Sequence, residues 1–168
     1  MGPCLSKKQL NNSDINVNID NQFDPKRGLE SIEPDKIQYF SFKGRSFYAK
    51  PCNIYDGDTF TICWIWKGEP TKYRCRCLGY DSPEMKPSLS NPNRDKEKEL
   101  AKAAKTRFSE LVTSSPDGLV KVECGDFDKY GRILVTVWVP NYTKSVNQIM
   151  LDEGHGKAYS GGTKETWS

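Results

Sequence analysis

The chain lacks any apolar stretch of transmembrane length, so no membrane-spanning helix is expected. No apolar run follows Lys7-Lys8, so no secretory leader is expected either, and the protein reads as intracellular. Histidine is nearly absent: His155 is the only one, read as a surface residue that the chemistry below does not need. The cysteines lack metal-ligand spacing, since Cys75 and Cys77 stand two apart with no second pair. Five of the six cysteines (Cys52, Cys63, Cys75, Cys77 and Cys124) lie in segments that read as strands. A free thiol there behaves as a small buried hydrophobe, and this reading is favoured over disulfides or zinc. A dense basic stripe is also missing. The net charge is +3, and residues 1–35 are acidic on balance, which leaves the rest with a modest bias toward a polyanionic partner. No internal repeat is visible.

What is present suffices for one compact core of about 130 residues: 168 residues, 36% hydrophobic and 11% aromatic. Residues 1–36 are rich in Asn, Asp, Ser and Lys and read as a solvated tail, leaving residues 37–168 as the folded domain. The start, Met1-Gly2-Pro3-Cys4-Leu5-Ser6, satisfies a loose acylation pattern. Lipids on Gly2 and Cys4, beside Lys7-Lys8, would supply the two signals that stable membrane attachment requires. Pro3 argues against an acyltransferase fit, and an ordinary disordered start is the favoured reading.

From Ile37 the texture changes. Gln38–Phe42 and Phe47–Tyr55 alternate and carry aromatics, so both read as strands, with Pro51 marking an edge or a bulge. Thr59–Trp66 and Thr71–Leu78 flank Lys67-Gly68-Glu69-Pro70 as a hairpin. On the return strand Arg74, Arg76 and Leu78 share one face and Cys75, Cys77 and Gly79 the other, as in a barrel wall with arginine outside. Asn91-Pro92 reads as a helix start, with Asp95 and Glu97 near the positive end of the dipole. Leu100, Ala104, Phe108 and Leu111 form its apolar stripe, and Lys96, Lys98, Lys102 and Lys105 its solvated side. Leu119–Cys124 and Ile133–Val139 follow as strands, and Ser145–Gln148 is a capping box opening a short helix stopped at Gly154. About five strands with one longer helix between the third and fourth is the layout of a small OB-type barrel, β-rich α+β in class, with two to three helices.

Three short segments carry the chemistry: Asp56-Gly-Asp58-Thr59, Arg76 through Asp81-Ser82-Pro-Glu84, and Asp128-Lys129-Tyr130-Gly-Arg132. Carboxylates crowded together repel unless a cation neutralises them, and their hard oxygens suit Ca²⁺ or Mg²⁺. Arginine presents a planar fork that matches phosphate oxygens. Each segment alone also has a plainer meaning, a turn or a hairpin corner. Their joint presence points to a site that holds a divalent cation and a phosphodiester together.

In order and combination these motifs resemble the staphylococcal nuclease (thermonuclease) family, from roughly Phe47 to Tyr159. The resemblance implies a five-stranded OB-fold barrel with three helices, and Ca²⁺-dependent cleavage of single-stranded DNA or RNA to 3′-phosphate ends by a monomer. Mg²⁺ is equally compatible with the ligand types. Asp58, Asp81 and the backbone carbonyl of Ser82 resemble the metal ligands, and Arg76 and Arg132 the phosphate-contacting arginines. Glu84 resembles the acid beside the attacking water. Asp56 and Thr59 resemble supporting residues, and Tyr159, Tyr130 and Lys129 border the substrate side. The Thr59–Leu78 hairpin is four residues longer than in the prototype, an even insertion that keeps each side chain on its face. Ser82 stands where the prototype has threonine, and the 161–166 segment offers only a stub of the last helix. The competing expectation is a catalytically inactive module of the same fold that binds nucleic acid or protein.

Overall fold

A computed structural model describes residues 26–167. The acylation pattern at Gly2 and Cys4 lies outside the described residues. The chain divides into two units, Met1–Tyr39 and Phe40–Ser168. In the first, the described part forms two single 3₁₀ turns, Leu29–Ser31 and Pro34–Lys36, with no buried residue in either. Among the described residues no helix is long and apolar enough to cross a membrane.

The second unit is built on five strands: β1 (Ser46–Ile54), β2 (Thr59–Trp66), β3 (Glu69–Cys77), β5 (Val120–Phe127) and β6 (Ile133–Trp138). Two short strands, β4 (Tyr80–Asp81) and β7 (Lys157–Ala158), and two helices, α1 (Arg94–Thr113) and α2 (Val146–Asp152), complete it. The five strands close into a barrel in the order β1-β2-β3-β6-β5, and β4 pairs with β7 beside it. All barrel pairings are antiparallel except β3 with β6. This is the expected OB-type barrel, with α1 between β4 and β5.

Alternation in the strands generates the core. Phe60, Ile62 and Trp64 of β2 point inward, as do Cys75 and Cys77 of β3, Val120 and Val122 of β5, and Ile133, Val135 and Val137 of β6. Helix α1 covers this core with Ala104, Phe108 and Leu111, and the Phe108 ring meets Phe60 at 5.1 Å between centroids. The buried stripe also takes in Ala101 and Val112, whereas Leu100 is only half-buried. The β2–β3 hairpin is tighter than its sequence suggested. Its loop is only Lys67-Gly68, both at positive φ (51° and 86°), and Trp66 pairs with Glu69. Cys52 and Cys63 are half-buried, not fully buried, with their sulfurs 3.1 Å apart across β1 and β2.

Three further expectations are corrected. Gln38–Phe42 forms no strand: β1 is flanked by β2 and β5, so the closed barrel offers no edge for another. Phe42 instead anchors an aromatic cluster, with rings of Phe47, Trp64, Trp66, Tyr73 and Phe127 within 5.9 Å of its own. Helix α1 starts two residues late, at Arg94, because the Asn91 side chain accepts from Asn93 N–H at 2.8 Å and closes a turn first. The capping box at α2 is half made. Ser145 Oγ accepts from Gln148 N–H at 3.2 Å, but the Gln148 amide donates to Asp152 at 2.7 Å. Pro51 lies at the bulge in β1, where the register to β2 shifts.

Candidate active site

The β1–β2 turn is shaped by Asp56, whose Oδ1 accepts from the backbone N–H of Asp58 at 3.1 Å and of Thr59 at 2.7 Å. Between them Gly57 lies against α1. A Cβ there would stand 2.9 Å from Ala104 Cβ and 3.0 Å from Ser82 Cβ, so the approach requires glycine. The buried Tyr80 hydroxyl donates to the Gly57 carbonyl at 2.6 Å, and the Tyr80 ring in turn lies against Gly156, where a Cβ would overlap it. The turn therefore presents Asp58 in one orientation. Its Oδ1 accepts from Thr59 Oγ1 at 2.7 Å and from Arg76 Nη1 at 2.9 Å, and its Oδ2 from the Ser82 backbone N–H at 3.0 Å.

Arg76 stands opposite Thr59 in the β2–β3 register, on the face away from Cys75 and Cys77, as the alternation requires. It does not project freely outward: only 9% of its surface is exposed. Its second terminal nitrogen donates to Asp81 Oδ1 at 2.6 Å, so one guanidinium bridges Asp58 and Asp81. The Tyr159 ring lies 5.8 Å from the guanidinium carbon. Lys164 approaches from the end of the chain and pairs with both Asp81, at 2.8 Å, and Glu84. Its segment was expected to be a helical stub. It is instead an irregular stretch, held by Lys164 and by Trp167, whose buried ring lies 4.9 Å from Lys157 Nζ.

Arg132 enters through the β5–β6 turn. Asp128 Oδ1 accepts from the N–H groups of Tyr130 and Arg132, each at 2.9 Å, and Oδ2 accepts from Arg132 Nε at 2.6 Å. The guanidinium held there donates from Nη1 to Thr59 Oγ1 at 3.2 Å. Thr59 thus links Arg132 to Asp58. Tyr130, 69% exposed, lies beside both Arg132 and Lys129, its ring centroid 5.4 Å and 5.1 Å from their charged groups. Thr59, Arg76, Asp128, Lys129, Tyr130 and Arg132 line a cleft of about 860 Å³ with Tyr55, Arg74, Tyr159 and Lys164, and Asp58 and Asp81 lie behind Arg76, outside its lining.

Sequence reasoning missed Lys164, Glu97 and Tyr80. Glu97 is buried and accepts the Glu84 backbone N–H at 3.0 Å and the Asn91 amide, so it fastens the segment after Asp81 to α1. Its position in the first helical turn was the only local signal, and that signal pointed to the helix dipole. Asn147 closes the other side. It accepts from Val137 N–H at 2.9 Å and donates to the carbonyls of Leu78 and Val135, tying α2 to the end of β3.

The electrostatics follow from this crowding. Burial, and then the charge of Asp58, push the Asp56 carboxyl up to about 7. Burial alone would lower Arg76, but Asp58 and Asp81 outweigh it and raise its pKa. Lys164 behaves likewise between Asp81 and Glu84.

Whether the residues suit a divalent cation is decided by their donors. Among the described residues no three His, Cys, Asp or Glu side chains converge as a metal group. The expected carboxylate cluster reduces to two, because Asp56 is turned onto backbone and Glu84 onto Lys164. Asp58 and Asp81 converge on one guanidinium, and Ser82 Oγ beside them is buried with no hydrogen-bond partner among the described residues. Two anionic oxygen donors with a neighbouring hydroxyl fit a hard cation that keeps part of its water shell.

A family model described as staphylococcal nuclease homologue matches residues 74–166. A search of curated proteins gives no match. The matched span contains Arg76, Asp81, Glu84, Arg132 and Tyr159 and begins after Asp58, which the β2–β3 pairing brings alongside Arg76. A domain of this kind is nuclease-like or binds nucleic acid. With more than half of its length in that match, and with the closed five-stranded barrel around it, the chain belongs to the staphylococcal nuclease family.

Proposed function

We propose that the domain hydrolyses phosphodiester bonds in single-stranded DNA or RNA with the help of a divalent cation, Ca²⁺ before Mg²⁺, leaving 3′-phosphate ends. The observation that carries this reading is the bridge of Arg76 between Asp58 and Asp81, joined to Arg132 through the Thr59 hydroxyl, at the wall of an open cleft. In this reading Asp58, Asp81 and the carbonyl of Ser82 hold the cation, which would act as a Lewis acid on a phosphate oxygen. Arg76 and Arg132 bind the phosphate and neutralise charge that grows on its oxygens. Glu84 orients the attacking water or accepts its proton. Tyr130, Tyr159 and Lys129 border the nucleotide.

A second reading is favoured by one observation. Arg76 and Lys164 already neutralise Asp58 and Asp81 without any cation, as a non-catalytic binding module would permit. Digestion of a single-stranded oligonucleotide with Ca²⁺, with Mg²⁺ and with chelator separates the two. Cation-dependent cleavage that Asp58→Asn abolishes supports the enzyme, whereas intact oligonucleotide bound by the protein under all three conditions supports the module. Action as a monomer belongs to the same proposal, with an unacylated start favoured over attachment to membranes through Gly2 and Cys4. Sizing chromatography and mass spectrometry of the first residues test them.

A further inference from the structure

The cleft does not end at Arg76. A second hollow of about 490 Å³ adjoins it and shares Tyr55, Thr59 and Arg74 with it, and Lys105 of α1 contributes to its lining. No aspartate or glutamate lines this hollow. Neither Arg74 nor Lys105 has a side-chain hydrogen bond or ion pair among the described residues. Of the other helix lysines, Lys98 pairs with Asp95 and Lys102 with Glu99, and Lys96 is exposed and does not line the hollow. Lys105 was read with them as part of a solvated face, but it is half-buried at the hollow.

Arg74 lies two residues before Arg76 on the same face of β3, opposite Thr61, just as Arg76 lies opposite Thr59. Two residues of a strand advance about 6.6 Å. That step is of the order of the separation between successive phosphates in an extended single strand. Tyr55, 52% exposed, stands between the two hollows as a surface on which a base can stack.

We propose that Arg74 and Lys105 bind the phosphate adjacent to the one held by Arg76, with the intervening base on Tyr55, so that the protein grips an extended single-stranded polynucleotide over at least two phosphates. The proposal rests on the reading of the main cleft as a nucleic-acid site. It identifies the substrate as a chain and not an isolated diester.

The test is the binding of a fluorescent oligothymidylate 12-mer, measured by anisotropy in chelator across a salt series. The Arg74→Gln/Lys105→Gln variant should bind about 10-fold more weakly at low salt. Its log–log salt slope should be shallower by about 0.7, the loss of one neutralised phosphate. Lys102→Gln, whose lysine is already paired, should match the wild type. Unchanged affinity and slope in the double variant overturn the proposal, as does a wild type that does not bind the 12-mer. A wild type that binds through these residues but leaves the oligonucleotide intact in both Ca²⁺ and Mg²⁺ removes the nuclease reading and leaves the second phosphate site standing. Cleavage by the wild type with an unaltered double variant does the reverse.

Discussion

Lys164 Nζ lies 2.8 Å from Asp81 Oδ1, although the lysine belongs to the last irregular stretch of the chain and the aspartate to β4. The same ammonium reaches Glu84, so one lysine from the end of the chain sits against the two acids proposed to act on cation and water. Each carboxylate here faces a choice between a fixed internal cation and a diffusible one. Opposite charges at contact are worth several kcal/mol at an intermediate dielectric of about 20, enough to shift a binding constant measurably. Lys164→Met should therefore tighten Ca²⁺ binding, lowering the half-saturating concentration about 3-fold to 10-fold in calorimetric titration. A weaker or unchanged affinity would show that the lysine does not compete for Asp81.

Arg76 has a structural role that its motif did not announce. Removing the guanidinium leaves buried Asp58 without a charged partner and buried Asp81 with Lys164 alone, a change that typically costs about 3 kcal/mol or more. Arg76→Ala should lower stability by about that amount in chelator, read from urea unfolding, and Ca²⁺ should restore part of it if the cation takes the vacated charge. Cleavage in Ca²⁺ should fall on the order of 10²-fold to 10³-fold even where stability is partly restored. An alanine variant as stable as the parent in chelator would show that the bridge contributes nothing to the fold.

Gly57 gives a packing prediction. The added Cβ of Gly57→Ala would meet Ala104 and Ser82 at about 3 Å, and both are fixed by α1 and by the β4 exit. Overpacking of this kind costs about 1–3 kcal/mol. Ala104→Gly removes one of the two obstructing atoms and alone costs about 1 kcal/mol through helix propensity. The double variant should be less destabilised than the sum of the two singles in a thermodynamic cycle. Strict additivity would place the obstruction elsewhere.

Asp128 supplies a pH dependence. Burial would raise its carboxyl, but hydrogen bonds from the Arg132 backbone and guanidinium, and from Tyr130, outweigh it and hold the pKa below the usual carboxylate value of 3.8. A depressed carboxyl contributes stability that is present above its unfolded pKa and is lost as pH falls through the folded one. Asp128→Asn keeps an acceptor for the turn but loses the ion pair. It should be about 1–2 kcal/mol less stable than the parent at pH 7. The gap should close as the pH drops below about 4, as urea unfolding at pH 7, 5 and 3 would record. A gap that stays constant across that range would exclude the ion pair as its origin.

How much of this was legible in the chain depends on how local each signal is. The period-two alternation of β2 and β3 is written within nine residues, and it placed Cys75 and Cys77 inward and Arg76 on the opposite face. The same kind of signal misled at Gln38–Phe42, because alternation says nothing of whether a neighbouring strand has an edge to offer. Asn91 looked like a cap because a cap and an Asx turn use the same side chain, and only the path into α1 distinguishes them.

Residue chemistry within short windows was thus determined by the sequence itself: the barrel strands, the turn acids, Arg76 with its expected face, and the family likeness that the match from residue 74 onward bears out. Tertiary structure alone decided which charges meet. It set Arg76 between Asp58 and Asp81, routed Arg132 to Asp58 through Thr59, brought Lys164 back across eighty residues to Glu84, and placed Lys105 at the hollow that Arg74 also lines. The reason is physical. Backbone preference and side-chain alternation act between near neighbours along the chain, whereas Coulomb attraction and desolvation depend on distance and burial, which exist only after the barrel has closed.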